Sequence, residues 1–114
     1  YITNLLHEVG VPAHVKGYKY LKDAIKFVIE DMSLLSHITK ELYPRVASIN
    51  NSSALRVEKG IRTAILIAWD RGNKEIEETI FGYTVNPQKG KPTNSEFIAL
   101  LADKIRLEIL YKMW

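Results

Sequence analysis

Apolar residues along this chain recur mostly at spacings of three and four, and no alternating apolar/polar stretch runs longer than a few residues. The pattern predicts an all-α protein. Ile2–Val9 predicts a short helix ended by Gly10-Val11-Pro12. His14–Met32 predicts a second, with Tyr20, Leu21, Ala24, Ile25, Phe27, Val28 and Met32 as its apolar stripe. Its wet side carries Lys16, Lys19, Lys22, Asp23, Lys26 and Glu30. Ser33 is placed to cap a third helix through Leu35, Ile38 and Leu42. Pro44 favours a helix start over a helix interior, so Tyr43–Ile49 reads as a separate short helix.

Asn50-Asn51-Ser52-Ser53 then makes a polar turn, with Ser52 or Ser53 as the N-cap of a long helix that reaches Arg71. Gly72-Asn73 closes that helix, and Lys74–Phe81 forms another. Gly82–Thr93 is a loop rich in Gly, Pro and Lys. Thr93 and Glu96 have capping-box spacing at the head of a last helix, from about Asn94 to Tyr111.

In the long helix, steps of about 100° per residue put Val57, Ile61, Ala64, Ile65 and Ala68 on one core-facing stripe. Lys59, Thr63, Leu66 and Asp70 fall opposite. Arg56 and Arg62 lie on the two shoulders, and Glu58 is nearer the core edge. A short helix, a turn of four residues and a long helix have the outline of a helix-turn-helix, although the turn lacks a glycine. In that motif the N-terminal residues of the second helix meet base edges in the major groove. Arg or Lys can donate to guanine, and Glu can accept from cytosine. A solvated charged face remains the competing reading. Gly60 costs on the order of 1 kcal/mol in a helix interior. Packing of Tyr43 against Ile65, or the close approach of a partner backbone, are two open accounts of it.

With 114 residues, positions 1–114 fit a single domain able to bury its own core. The absence of cysteine excludes a disulfide framework, a thiolate metal site and a cysteine nucleophile. It is compatible with a reducing compartment. The net charge of +3 and the pI near 9.1 add a mild bias toward an anionic partner. No run approaches the ~18 apolar residues of a membrane span, and Tyr1–Leu6 has no signal-peptide pattern. Because the chain begins at Tyr1 without Met, a piece of a longer protein is expected.

Other clusters carry less. His7, Glu8 and His14 would be the residues of an enzyme or metal site, but their spacing is not HExxH and Pro12 interrupts the helix that would align them. Neither catalysis, a cofactor nor a metal is expected. The Gly82–Pro92 stretch does not match the phosphate-binding P-loop pattern. It is either a connector or a place where Lys89 and Lys91 reach a DNA backbone. In the tail, Ile105, Ile109 and Leu110 pack back on the domain, or Tyr111, Met113 and Trp114 support self-association or a contact to another domain.

Six stretches together carry a resemblance: "HEVGVPAHVKGYKYL", "ITKELYP", "RVEKGIRTAI", "AWDRGN", "FGYTV" and "KPTNSEFIALLADKIRLE". From Leu5 to Glu108 the chain resembles the C-terminal effector domain of stage zero sporulation protein A, the master response regulator of endospore formation in Firmicutes. The resemblance implies an all-α fold, a compact bundle of about six helices containing a helix-turn-helix, and with it a cytoplasmic, sequence-specific DNA-binding domain. It implies binding of double-stranded DNA at short asymmetric elements called 0A boxes, as a tandem homodimer that activates or represses transcription. It also implies an N-terminal receiver domain in the full-length protein, whose phosphorylation drives dimerisation.

By position, Glu58, Lys59 and Arg62 match the family's base-reading residues. Ser52, Ser53, Arg56 and Thr63 match the neighbourhood of backbone contacts. Family members commonly carry Arg at position 59, Ala at 60 and His at 63. Lysine lacks arginine's bidentate fork, which bears on the strength of a contact at 59 and not on its sign. Gly72–Val85 matches the region that touches RNA polymerase sigma factor, where Lys74, Glu75, Glu77 and Glu78 would form the surface. On the residues alone a solvated face is favoured for that run. The rival function is a helical protein–protein interaction domain without specific DNA binding.

Overall fold

The computed structural model describes residues 1–82 and 90–112. Six α-helices and no strand occur among them. These are α1 (Ile2–Glu8), α2 (Lys16–Glu30), α3 (Tyr43–Ile49), α4 (Ala54–Arg71), α5 (Lys74–Phe81) and α6 (Asn94–Lys112). The core is apolar and lies where α2 crosses α4 and α6. Tyr20, Leu21, Ala24, Ile25 and Val28 supply α2's share, at the spacing its stripe predicts. Val57, Ile61, Ala64, Ile65 and Ala68 of α4 are all buried, as is the Phe97–Ile105 stripe of α6. Phe81 ties α5 in. Its ring meets Trp69 edge-on at 5.2 Å and stacks on Phe97 at 5.4 Å.

The single helix expected through Leu35, Ile38 and Leu42 is two separate turns. Met32–Ser36 is a 3₁₀ turn and Ile38–Leu42 a π turn, with His37 between them. The cap is Asp31 rather than Ser33: its carboxylate accepts from Ser33 N at 3.0 Å and from Ser33 Oγ at 2.6 Å. Those bonds lower the Asp31 pKa. In the wide turn Leu42 N donates to His37 O at 3.1 Å and Tyr43 N to Ile38 O, each one residue further than an α-helix would reach. Pro44 follows directly, and its ring clashes with the carbonyl four residues back in a regular α-helix.

The tail also divides differently. Ile105 is buried, but Ile109 and Leu110 are about half exposed, so they do not pack back on the domain. Met113 and Trp114 lie outside the described residues.

Candidate nucleic-acid interface

The candidate interface begins at the turn between α3 and α4. Asn51 sits at φ 50, the left-handed conformation that asparagine tolerates better than most residues, and so stands in for the missing glycine. Asn50 Nδ2 donates to Asp23 of α2 and to Val46 O, both at 2.8 Å. Ser52 N donates to Ala47 O at 2.9 Å. The two serines divide the labour. Ser53 is the N-cap and accepts from Arg56 N at 3.2 Å. Ser52 Oγ accepts from Tyr20 OH of α2 at 3.1 Å. The turn is thus held on one side by α2 and on the other by α4's own first turn.

From that start, Arg56, Lys59, Arg62 and Thr63 project into solvent and Glu58 is half-buried. Arg62 Nη1 pairs with Glu58 Oε1 at 3.3 Å, one helical turn apart. The pair and the other two cations line different grooves. Arg56 and Lys59 share theirs with α2 and the turn. Glu58 and Arg62 share theirs with Thr39, Lys91 and the head of α6. There Asn94 Nδ2 donates to Tyr43 OH at 3.0 Å and Glu58 O at 3.1 Å, fixing α6 against α3 and α4. Burial raises the Tyr43 pKa, with the Asn94 bond opposing, so the phenol stays neutral. The capping box is formed: Glu96 N donates to Thr93 Oγ1 at 3.1 Å, and Thr93 N to Glu96 Oε1 at 2.8 Å. Lys91 is half-buried in this second groove, and Lys89 lies outside the described residues.

Two supporting features act between elements distant in the chain. Asn94 acts across 36 and 51 positions of chain, and only its place in the capping motif was visible. Gly60 faces α2: a Cβ there would come within 2.9 Å of the Tyr20 ring. A Cβ on Gly17 would meet Gly60 O at 2.1 Å and Ala64 Cβ at 2.7 Å. The backbone that comes close to Gly60 is this chain's own α2, not a partner's.

On α5, Lys74, Glu75 and Glu78 are exposed, but Glu77 is only 3% exposed. Glu77 therefore leaves the acidic surface expected of that run. It shares a helix face with Phe81, four residues on, which points into the core. Its Oε1 meets Lys74 Nζ at 3.3 Å, while Oε2 has no hydrogen-bond partner among the described residues. Burial raises its pKa, and Lys74 opposes the rise. Lys74 Nζ also donates to Trp69 O. Asn73 caps α5 by accepting from Glu75 N and Ile76 N.

His7, Glu8 and His14 are exposed, on α1 and in the turn before α2. No group of three His, Asp or Glu side chains able to hold a metal gathers among the described residues. No helix there is long and apolar enough to cross a membrane. Residues 2–105 match the family model for sporulation initiation factor Spo0A C terminal, nearly the whole chain.

Proposed function

Because the chain belongs to the sporulation initiation factor Spo0A C-terminal family of DNA-binding effector domains, we propose that it reads 0A-box DNA through α4. The observation that carries this reading is the N-terminal half of α4. A capped helix start, a locked turn and four solvent-facing side chains, three of them cationic, stand on one exposed surface. Glu58 and Arg62 present an acceptor and a donor side by side, a chemistry suited to cytosine N4 and guanine O6/N7. Opening their surface ion pair costs on the order of 0.5 kcal/mol. A good base contact is worth about 1–3 kcal/mol, so the pair does not prevent reading. Ser52, Ser53, Arg56, Thr63 and Lys91 hold phosphates around it. A second copy binds the adjacent site in tandem.

The contact to sigma factor is proposed for Lys74, Glu75 and Glu78, without Glu77. Support comes from their shared exposure on α5. The alternative, a protein-interaction domain without specific DNA binding, draws its support from the exposed apolar end of α6: Leu107, Ile109, Leu110 and Tyr111.

The test is Arg62→Ala titrated against a 0A-box duplex and a scrambled duplex. A loss of about 1–3 kcal/mol on the box alone is expected. Equal loss on both would make Arg62 a phosphate contact, and no loss on either would remove it from the interface.

A further inference from the structure

The α2 helix lies outside the helix-turn-helix outline, yet its first turn stands beside the first turns of α4. Gly17 and Gly60 make this possible. A Cβ built on Gly60 would lie 3.8 Å from Gly17 Cα, so the two backbones nearly touch. Lys16 and Lys59, each next in chain to one of these glycines, therefore flank the same crossing. Lys19 follows Lys16 by three residues and Tyr20 by four, which keeps all three on one helix face. Together with Arg56 and the Asn51–Ser52 turn they line one open groove.

The charges in this groove are available. Lys16, Arg56 and Lys59 are exposed and form no ion pair among the described residues. Lys19 is paired with Asp23 at 2.9 Å, but its side chain remains 63% exposed. A lysine ammonium has three donors, so Lys19 can keep Asp23 and still donate to an anion. Asp23 itself is committed elsewhere: the same oxygen accepts from Asn50 Nδ2 at 2.8 Å. That bond couples α2's charged face to the turn. The groove therefore holds four cations on a rigid frame of two crossed helices. It lies on the Arg56 shoulder of α4, away from the groove that holds Arg62 and Lys91.

We propose that this groove seats the phosphodiester backbone of one DNA strand, with Lys16 and Lys19 of α2 as its added cations. The proposal rests on the DNA-binding reading above. It makes α2 a wall of the interface. With α4 in the major groove, the strand on its Arg56 side runs between α2 and the turn. The opposite strand meets Lys91 and the head of α6. Lys16 and Lys19 contact no base, so they strengthen binding to any sequence equally.

The test compares wild type, K16Q/K19Q and K22Q/K26Q on a 0A-box duplex and a scrambled duplex, across a salt series. Lys22 and Lys26 are exposed lysines of the same helix that do not line the groove. Each lost phosphate contact lowers the slope of log K against log salt by about 0.9. K16Q/K19Q is therefore expected to lower the slope by nearly two, on both duplexes. Its affinity should fall about 12-fold less than wild type's between about 50 and about 200 mM salt. The box-to-scrambled ratio should stay at its wild-type value, and K22Q/K26Q should keep the wild-type slope. An unchanged slope in K16Q/K19Q overturns the proposal, as does an equal drop in K22Q/K26Q. If wild type binds both duplexes equally and the slope still drops only in K16Q/K19Q, the proposal stands and the 0A-box reading falls. If wild type binds neither duplex, both fall.

Discussion

Replacing Gly17 with alanine perturbs a place where α2 and α4 meet backbone to backbone. The added methyl would lie 2.1 Å from Gly60 O and 2.7 Å from Ala64 Cβ, where ordinary contact begins at 3.4 Å. The nearest obstacle is a main-chain carbonyl inside an α-helix, which cannot rotate away. The helices must separate by about 1 Å, and overpacking of that kind costs typically 1–3 kcal/mol. Alanine's better helix propensity, at most about 1 kcal/mol, offsets little of this at the second residue of α2.

Gly60→Ala is the matched control. Its methyl comes too close only to two carbons of the Tyr20 ring, at 2.9 Å, with Gly17 Cα at an ordinary 3.8 Å. A side-chain ring can shift by tenths of an ångström, and the propensity gain is about 1 kcal/mol in a helix interior. Urea unfolding should therefore show Gly17→Ala with a midpoint lower by about 1 M, and Gly60→Ala close to wild type. A Gly17→Ala protein as stable as wild type would refute the crossing as described. So would a Gly60→Ala protein that is the less stable of the two.

Two further substitutions follow from the same geometry. Ser53→Ala removes the cap of α4 and should cost about 1 kcal/mol in urea unfolding, whereas Ser52→Ala loses only the bond from Tyr20. Glu77→Gln should stabilise the protein at neutral pH, because burial raises the folded-state pKa above the ordinary 4.5. The unfolded chain releases that proton first as pH rises. The group's contribution is therefore complete below about pH 4.5 and is lost as pH climbs toward the folded value. Thermal melts across pH should show the gain of Glu77→Gln shrinking to nothing on the acid side; a gain that is the same at every pH would contradict this.

Helices were legible in the sequence wherever period and punctuation agreed. Pro44, the Asn-Ser turn and Gly72 mark their boundaries, and α3, α4 and α5 start and stop where those residues predict. Between Asp31 and Leu42 the apolar spacing was helical, but spacing cannot distinguish an α-turn from a 3₁₀ or π turn. The difference lies in Asp31's side-chain cap and in the ring of Pro44, which a regular α-helix would press against the carbonyl four residues back, both local chemistry superimposed on the period.

At the candidate site, the faces of α4 followed from its wheel, including the burial of Val57 and Ile61. Its supports did not. Gly17 reads as an ordinary glycine until α4 is laid across it, and Asn94 looks like part of a cap until its amide reaches Tyr43. Glu77 was readable in principle, since Phe81 lies one turn away on the same face. Counting it with Glu75 and Glu78 as an acidic run concealed that.

The most direct test of α4 as a reader of DNA is fluorescence anisotropy of the wild-type chain. It would be titrated on a 0A-box duplex and a scrambled duplex of equal length, at two salt concentrations. Tighter binding to the box, weakened by salt on both duplexes, is the predicted result. Equal binding to the two duplexes would contradict sequence reading and reduce α4 to one part of a basic surface.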